Sequence, residues 1–253
     1  MSAKIINPLL SLNRLRKALD YQSLVKVSQS GLKLEIKQVV PKAKVLVLAP
    51  HPDDDIMGCG GVIHKHILNG SKVRVIYITK GDGETQLFGK KITDTRRSEA
   101  ISALRVLGVT EQYFGLVPDG KVTAQNAGQI IKEAIEDFEP ELIYSPTELD
   151  DHADHRETAN GLRWALKRSK KIDPALINLY FYEVWTPLYP NRIVTIDLET
   201  KLEAVRQHES QLKNRAYDEA IAGLNTYRGE ILGAGSPAEA FLYLPADLWL
   251  KLK

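Results

Sequence analysis

The stretch VLVLAPHPDDDIMGCGG, residues 45–61, decides the fold. Its first five residues are apolar, which is typical of a strand buried on both faces of a sheet. One histidine and three aspartates follow within five positions: His51, Asp53, Asp54 and Asp55. Carboxylates crowded at the end of a buried strand repel one another unless a cation is bound. Because open α/β sheets bind ligands beyond the carboxyl ends of their strands, this stretch predicts half of a metal site.

Strand-like and helix-like segments alternate along the chain from Lys44 onward. This alternation predicts an α/β fold, a Rossmann-like three-layer sandwich with a mostly parallel sheet and helices on both faces. The pattern predicts a helix over residues 60–69 and another that Asp197 caps and that runs to about Leu212. No repeat or shift in composition divides residues 41–253, so we expect them to form one domain.

Residues 1–40 differ from the rest and predict an N-terminal helical extension. Six apolar residues recur there at near-helical spacing: Ile5, Leu9, Leu12, Leu15, Leu19 and Leu24. We favour a helix that packs on the domain or on a second subunit of a homo-oligomer. Peripheral membrane contact by residues 1–30 is the alternative, although the positive charge is modest and no aromatic anchor precedes Tyr21.

Composition excludes several classes of protein. The formal net charge of the 253 residues is only +2, and no basic stripe with interleaved aromatic residues predicts nucleic-acid binding. The single cysteine excludes a disulfide framework and a cysteine-rich zinc module. No apolar run predicts a transmembrane segment or a signal peptide, so a cytoplasmic location is the default expectation.

A second cluster of ligand-type residues follows the fourth predicted strand and reads DDHADHR, residues 150–156. His152 and His155 are three residues apart, as His51 and Asp54 are, so each pair can point the same way near a helix start. Two ligands from one strand end and a third from another predict a His/Asp/His site with an open fourth position, as in catalytic zinc sites. Two imidazoles argue against magnesium and calcium, while iron(II), cobalt and manganese stay open beside zinc.

The two clusters together resemble the PIG-L/LmbE-like family of zinc-dependent N-deacetylases. The motifs are Ala-Pro-His-Pro-Asp-Asp at residues 49–54 and His-x-Asp-His-Arg at 152–156. Further elements that match are GCGG at 58–61, the arginine–glutamate helix at 96–100, Pro-Asp-Gly at 118–120 and His-x-Ser-Gln at 208–211. The resemblance implies hydrolysis of the N-acetyl group of an N-acetylglucosamine-type sugar conjugate.

Carried over residue by residue, the resemblance implies a role for each residue of the two motifs. His51, Asp54 and His155 would bind the metal, and Asp53 would be the general base. His152 would stabilise or protonate the tetrahedral intermediate and would be oriented by Asp154. Three further residues would contact the substrate, the choice between the two arginines being open: Arg96, Arg97 and Asp119.

This sequence departs from the family at one position, where Asp55 replaces the usual glutamate, and we expect at most a slight shift of the loop. Two other functions stay open: hydrolysis of a non-sugar N-acyl substrate, and metal binding without catalysis. A dinucleotide site is excluded because Ile63 occupies the place of the third glycine. A zinc deaminase is excluded because the Pro-Cys-x-x-Cys motif is missing.

Overall fold

A computed structural model describes residues 33–83, 91–213 and 215–252 of the chain. The strands in these residues are β1 (Glu35–Ile36), β2 (Lys44–Ala49), β3 (Lys72–Thr79), β4 (Glu111–Val117), β5 (Leu142–Ser145), β6 (Asn178–Phe181), β7 (Arg192–Thr195) and β8 (Ala238–Pro245). The helices are α1 (Asp54–Leu68), α2 (Ile92–Leu107), α3 (Ala124–Phe138), α4 (Ala153–Arg168), α5 (Leu198–Arg206), α6 (Glu209–Leu212), α7 (Tyr217–Ile231) and α8 (Ala246–Leu250), with a 3-10 turn at Pro174–Leu176. Of the predicted N-terminal helical extension (residues 1–40), residues 1–32, which include the predicted membrane-contact segment 1–30, lie outside the described residues.

The strands form one sheet in the order β1-β7-β8-β6-β5-β2-β3-β4. Neighbours pair in parallel except at β8, which is antiparallel to both β6 and β7. Helices cover both faces of this sheet, so the predicted three-layer α/β fold is confirmed.

The apolar run of β2 explains why this strand lies inside the sheet. Val45 and Val47 pack into the core on the face of α1, α2 and α5. Leu46 and Leu48 pack into the core on the opposite face, against α3 and α4. All four side chains are fully buried, because a strand covered on both faces exposes neither set of its alternating residues.

The order of the strands places the two ligand clusters side by side. From β2 the chain runs outward through β3 to β4, and it then returns to β5 on the other side of β2. The loops after β2 and β5 therefore leave in opposite directions and open a crevice at the carboxyl edge of the sheet. The first cluster follows β2 and the second follows β5, so both line this crevice.

Helix α1 begins six residues earlier than the sequence pattern predicts, at Asp54 instead of Gly60. The glycine run lies inside the helix, which is kinked at Cys59 (φ −146°, ψ 21°). A side chain at Gly58 would overlap the ring of Tyr182, so the helix approaches β6 closely at the kink. The predicted helix start at Gly60 was wrong because glycine here serves close packing rather than a turn.

The predicted single helix from Asp197 to Leu212 is also interrupted, between α5 and α6. At the break, the Glu99 carboxylate of α2 accepts hydrogen bonds from the Ser210 backbone N–H (2.8 Å) and hydroxyl (2.7 Å). The Ser-Gln motif thus docks α6 on α2. Across the described ranges, none of the helices has the length and apolarity that a membrane crossing requires.

Candidate active site

A cavity of about 680 Å³ opens at the crevice between the loops that follow β2 and β5. Its wall combines residues of both sequence clusters with residues from the turn after β4 and from the segment before α7. The lining residues are His51, Asp53, Asp54, Met57, Gly83, Arg96, Asp119, Gly120, Asp151, His152, Trp185, Gln211, Arg215 and Tyr217.

The carboxylate of Asp54 lies between two imidazoles. Its Oδ2 atom is 3.0 Å from His51 Nδ1 and 3.1 Å from His155 Nε2. The same oxygen accepts the backbone N–H of His51, at 2.8 Å. Asp54 is in the first turn of α1 and His155 is in the first turn of α4, so the two helix starts hold this group together.

The second ring nitrogen of each of these histidines faces another carboxylate. His51 Nε2 lies 3.0 Å from Asp154 Oδ2, and His155 Nδ1 lies 3.3 Å from Asp150 Oδ2. Carboxylates in this position are typical of metal-binding histidines, whose tautomer and ring orientation they hold. The contacts at His155 do not have hydrogen-bond geometry, although the ring is fully buried.

Three carboxylates give this group a strongly negative potential. Burial alone would lower the pKa of His51, but Asp154 and Asp54 outweigh burial and raise it to about 10. Burial opposes the charged form of His155 as well, and Asp54 and Asp150 raise its pKa to about 9. The charges of both histidines hold the pKa of Asp54 well below its usual range, despite burial. The carboxylates of this group therefore stabilise positive charge between them, and a divalent cation is one source of such charge.

Asp53 points away from this group and toward an arginine. Arg96 Nη2 donates to Asp53 Oδ2 at 3.1 Å, and Arg96 Nη1 lies 3.5 Å from Asp119 Oδ2. Burial raises the pKa of Asp53, while Arg96 acts in the opposite direction. The carboxylate therefore lines the cavity beside the metal-type group without being one of its members.

His152 is the N-cap residue of α4 and is only partly buried. Its Nδ1 accepts the backbone N–H of Asp154 at 3.2 Å, so in the neutral ring the proton is on Nε2. Burial, together with the charges of His51 and His155, lowers the pKa of His152. A neutral imidazole at this position can donate one hydrogen bond from Nε2 into the cavity.

The structure corrects two expectations about the site. The Asp154 carboxylate does not orient His152; it contacts His51 and accepts the Gly120 backbone N–H at 2.7 Å. Arg97 does not reach the cavity, because its guanidinium lies 4.5 Å over the ring of Phe114. Successive residues of a helix diverge by about a quarter of a turn, so only Arg96 of this pair faces Asp53.

Sequence reasoning missed one acidic residue and left the contacts of another open. Asp150 contacts His155, and its Oδ1 atom also accepts the backbone N–H of His152 at 2.8 Å. Asp55 accepts the Tyr77 hydroxyl at 2.9 Å and is fully buried, so it braces the loop against β3. The position of Asp150 as the first residue of the second cluster was a signal, but only the fold shows which way its side chain points.

The donor atoms fit a transition-metal ion in two overlapping ways. The first set is the predicted one, His51, Asp54 and His155. In it, Asp54 Oδ2 lies 3.0 Å from His51 Nδ1 and 3.1 Å from His155 Nε2. In the second set, ligand atoms of His51, His152 and His155 all lie within 4.8 Å of one another. The first set contains two imidazoles and the second contains three, which suits zinc or iron(II) rather than calcium. A histidine-rich potential metal site is therefore present in the described residues.

The family model described as "PIG-L: GlcNAc-PI de-N-acetylase" matches residues 46–166, which contain both clusters. Residues 46–166 are thus similar to a PIG-L family domain. The resemblance expected from the motifs is therefore confirmed.

Two relatives that are named as deacetylases match a larger part of the chain. Diacetylchitobiose deacetylase of Thermococcus kodakarensis is 29% identical over 198 residues, 69% of this chain and 72% of that protein. A probable N-acetyl-alpha-D-glucosaminyl L-malate deacetylase of Bacillus subtilis is 28% identical over 197 residues, 67% of this chain and 84% of that protein. The fold of N,N'-diacetylchitobiose deacetylase from Pyrococcus horikoshii is shared with a TM-score of 0.72 and 22% identity, covering 98% of this chain and 97% of that one.

Proposed function

We propose that this protein is a metal-dependent hydrolase that removes the N-acetyl group from an N-acetylglucosamine-type sugar conjugate. The observation that carries the proposal is the Asp54 carboxylate oxygen, about 3 Å from a nitrogen of His51 and a nitrogen of His155. Beside this group the same cavity presents Asp53 and His152, a carboxylate and a neutral imidazole. Amide hydrolysis requires a base for water, a donor to the carbonyl oxygen and an electrophile.

We assign the metal to His51, Asp54 and His155, with zinc as the expected ion and iron(II) as the alternative. Asp154 and Asp150 would hold the outer nitrogens of the two histidines, as carboxylates do for metal-binding histidines. A zinc ion held by these three residues would supply a water whose pKa is lowered to about 7, and thereby a nucleophile at neutral pH.

The remaining roles belong to residues of the cavity that are not assigned as metal ligands. Asp53 takes the proton of the attacking water, and burial suits it to this task by raising its pKa toward neutrality. Arg96 orients Asp53 through its 3.1 Å hydrogen bond. His152 donates from Nε2 to the carbonyl oxygen as that oxygen gains negative charge.

The substrate class is inferred from the relatives, whose names describe deacetylases of diacetylchitobiose and of a glucosaminyl malate. Both are N-acetylglucosamine conjugates, so we propose a substrate of this kind for the present chain. Hydrolysis of a non-sugar N-acyl substrate is less favoured because both of these relatives are named for sugar conjugates. Metal binding without catalysis is less favoured because Asp53 and His152 are both present and line the cavity. A cytoplasmic location, a homo-oligomer and membrane contact by residues 1–30 stay predictions.

The test combines metal content with acetate release. The wild-type protein and the Asp53→Asn variant are purified, their zinc and iron are quantified, and each is assayed on a panel of N-acetylglucosamine conjugates. We expect one metal-binding site to be filled in both proteins, and acetate release that a chelator abolishes. Loss of a general base should lower kcat by about 10²–10⁴-fold in the variant.

A control separates loss of the base from loss of a negative charge. Asp94 is exposed in the first turn of α2, outside the cavity, so Asp94→Asn should retain full activity. Equal activity of Asp53→Asn and the wild type would contradict the assignment of the base. A folded wild-type protein that binds no metal and releases no acetate would contradict the proposed function.

A further inference from the structure

The cavity has a second wall that the deacetylation chemistry does not use. Trp185, Arg215 and Tyr217 line it together with the catalytic residues. The Trp185 ring lies nearly parallel to the ring of His152, with 6.4 Å between the ring centres, and 39% of the tryptophan is exposed. A group bound through its acetamide at His152 therefore meets Trp185 next.

Arg215 continues this wall beside Trp185 and is exposed. Its guanidinium carbon lies 5.3 Å from the centre of the Trp185 ring and 5.9 Å from that of Tyr217. The two rings meet edge to face with 6.0 Å between centres, so both flank the same cation. Cation–π contacts of this kind restrict the long side chain before any ligand binds.

The two arginines that line the cavity have different partners. Arg96 is held by Asp53 and Asp119 and is buried. Arg215 is exposed, and within residues 33–83, 91–213 and 215–252 it forms no ion pair with a carboxylate; its contacts are the two aromatic rings. The guanidinium therefore keeps donors directed to solvent, and its planar fork matches the oxygens of a carboxylate or a phosphate.

We propose that Arg215, held by Trp185 and Tyr217, binds an anionic group, a carboxylate or a phosphate, on the aglycone of the substrate. The inference rests on the proposed function and adds a specificity-determining residue to it. In this arrangement the acetamide lies at His152, the sugar ring stacks on Trp185, and the anion of the aglycone pairs with Arg215. Stacking on an aromatic face suits the apolar side of a sugar ring.

The experiment compares three substrates that share the acetamidosugar and differ in the aglycone. They are the methyl glycoside (neutral), the glycoside of glycolic acid (carboxylate) and N-acetylglucosamine 1-phosphate (phosphate). For the wild type, kcat/KM should be about 10- to 100-fold higher with at least one anionic substrate than with the methyl glycoside. The Arg215→Gln variant should lose that advantage through KM, with kcat unchanged and the neutral substrate unaffected.

Two further variants sharpen the comparison. Arg215→Lys keeps the charge without the planar fork, so it should recover only part of the advantage, and the carboxylate and phosphate arms show which anion depends on the fork. Arg206→Gln removes an exposed arginine that lies outside the cavity beside Asp218, and it should leave all three substrates unchanged. Equal kcat/KM of the wild type for neutral and anionic substrates would overturn the proposal, as would an equal loss on all substrates in Arg215→Gln.

A binding measurement separates this proposal from the proposed function. Calorimetry with the deacetylated glycoside of glycolic acid and with glucosamine 1-phosphate measures affinity without requiring turnover. Tighter binding of at least one of these to the wild type than to Arg215→Gln supports the anion site even if no substrate releases acetate. Equal binding to the two proteins overturns it even if deacetylation is found.

Discussion

Asp54 shows how much one atom contributes to this site. Its Oδ2 atom is within hydrogen-bonding distance of the His51 backbone N–H, the His51 ring and the His155 ring. An oxygen with these neighbours holds the loop after β2 against the start of α4. The same oxygen lies between the two imidazoles and is the third predicted metal ligand. The predicted metal site and the local structure therefore depend on one carboxylate.

His152 distinguishes the two candidate ligand sets. In the assignment favoured above it is a hydrogen-bond donor to the reacting oxygen and not a metal ligand. We expect His152→Asn to retain the metal and to lower kcat by about 10²–10³-fold, the usual cost of removing a donor to an oxyanion. Metal analysis and steady-state kinetics on the same preparation measure both effects.

His155→Asn is the matched comparison, because the side chain is changed in the same way three residues along α4. Its ring is fully buried between Asp54 and Asp150, so this variant should lose the metal. Loss of metal from His152→Asn as well as from His155→Asn would instead support the set of three histidines and contradict the role of His152 as a hydrogen-bond donor.

At the scale of elements, α1 is two helical segments joined by a kink at Cys59. A buried ion pair binds the backbone groups on both sides of this kink. The Glu239 carboxylate of β8 accepts the backbone N–H groups of Gly61 (2.9 Å) and Val62 (2.8 Å), which begin the second segment. Lys201 Nζ donates to the Met57 carbonyl, at the end of the first segment, and to Glu239 at 2.7 Å. The backbone groups that the kink leaves unpaired are thereby satisfied by side chains from β8 and α5.

Glu239→Gln should lower the free energy of unfolding by about 3–5 kcal/mol, because it leaves the ammonium group of Lys201 buried without its countercharge. Both side chains are almost fully buried, at 1% and 0% exposure, so water cannot replace the carboxylate. Urea unfolding followed by circular dichroism measures the change.

Two controls accompany this variant. Glu230→Gln changes an exposed residue of α7 and should alter stability by less than about 0.5 kcal/mol. The double variant Lys201→Met with Glu239→Leu removes both charges and should recover part of the loss, since apolar replacements of buried pairs are often tolerated. A Glu239→Gln protein as stable as the wild type would show that the pair contributes little to holding the kink.

At the scale of the whole molecule, His66 connects a helix layer to the centre of the sheet. It is fully buried on α1, where Nε2 lies 3.0 Å from the Tyr144 hydroxyl of β5 and Nδ1 lies 3.3 Å from the Ser71 hydroxyl. Burial lowers its pKa to about 4, although the Val40 carbonyl acts in the opposite direction. The folded protein therefore keeps this ring neutral where the unfolded chain would protonate it.

This difference predicts a loss of stability in acid. Above about pH 6.5 the ring is neutral in both states and the full stability is present. As pH falls from about 6.5 to 4, protonation favours the unfolded chain, with a total effect of about 3 kcal/mol. His66→Gln, which keeps polar groups but does not titrate, should make the acid limb of the stability curve shallower by about one proton.

His64→Gln provides the control, because His64 lies two residues away on the same helix and is only partly buried. Denaturant unfolding at a series of pH values gives the slope for each protein. Identical slopes for the wild type and His66→Gln would contradict the role of His66.

The sequence alone determined the parts of this protein that depend on local patterns. The apolar run of β2, the alternation of strands and helices, and the motifs at 49–54 and 152–156 predicted the α/β sheet, the family and the crevice. Each signal lies within a few residues along the chain, where side-chain spacing is sufficient to indicate which face is buried.

The tertiary structure decided which side chains meet. Asp154 pairs with His51 rather than His152, and Arg96 rather than Arg97 faces Asp53. Arg215 meets Trp185 across thirty positions of sequence. Such contacts depend on the order of strands in the sheet and on the rotation of each helix about its axis. Neither leaves a local trace in the sequence, because both are set by how separate segments pack together.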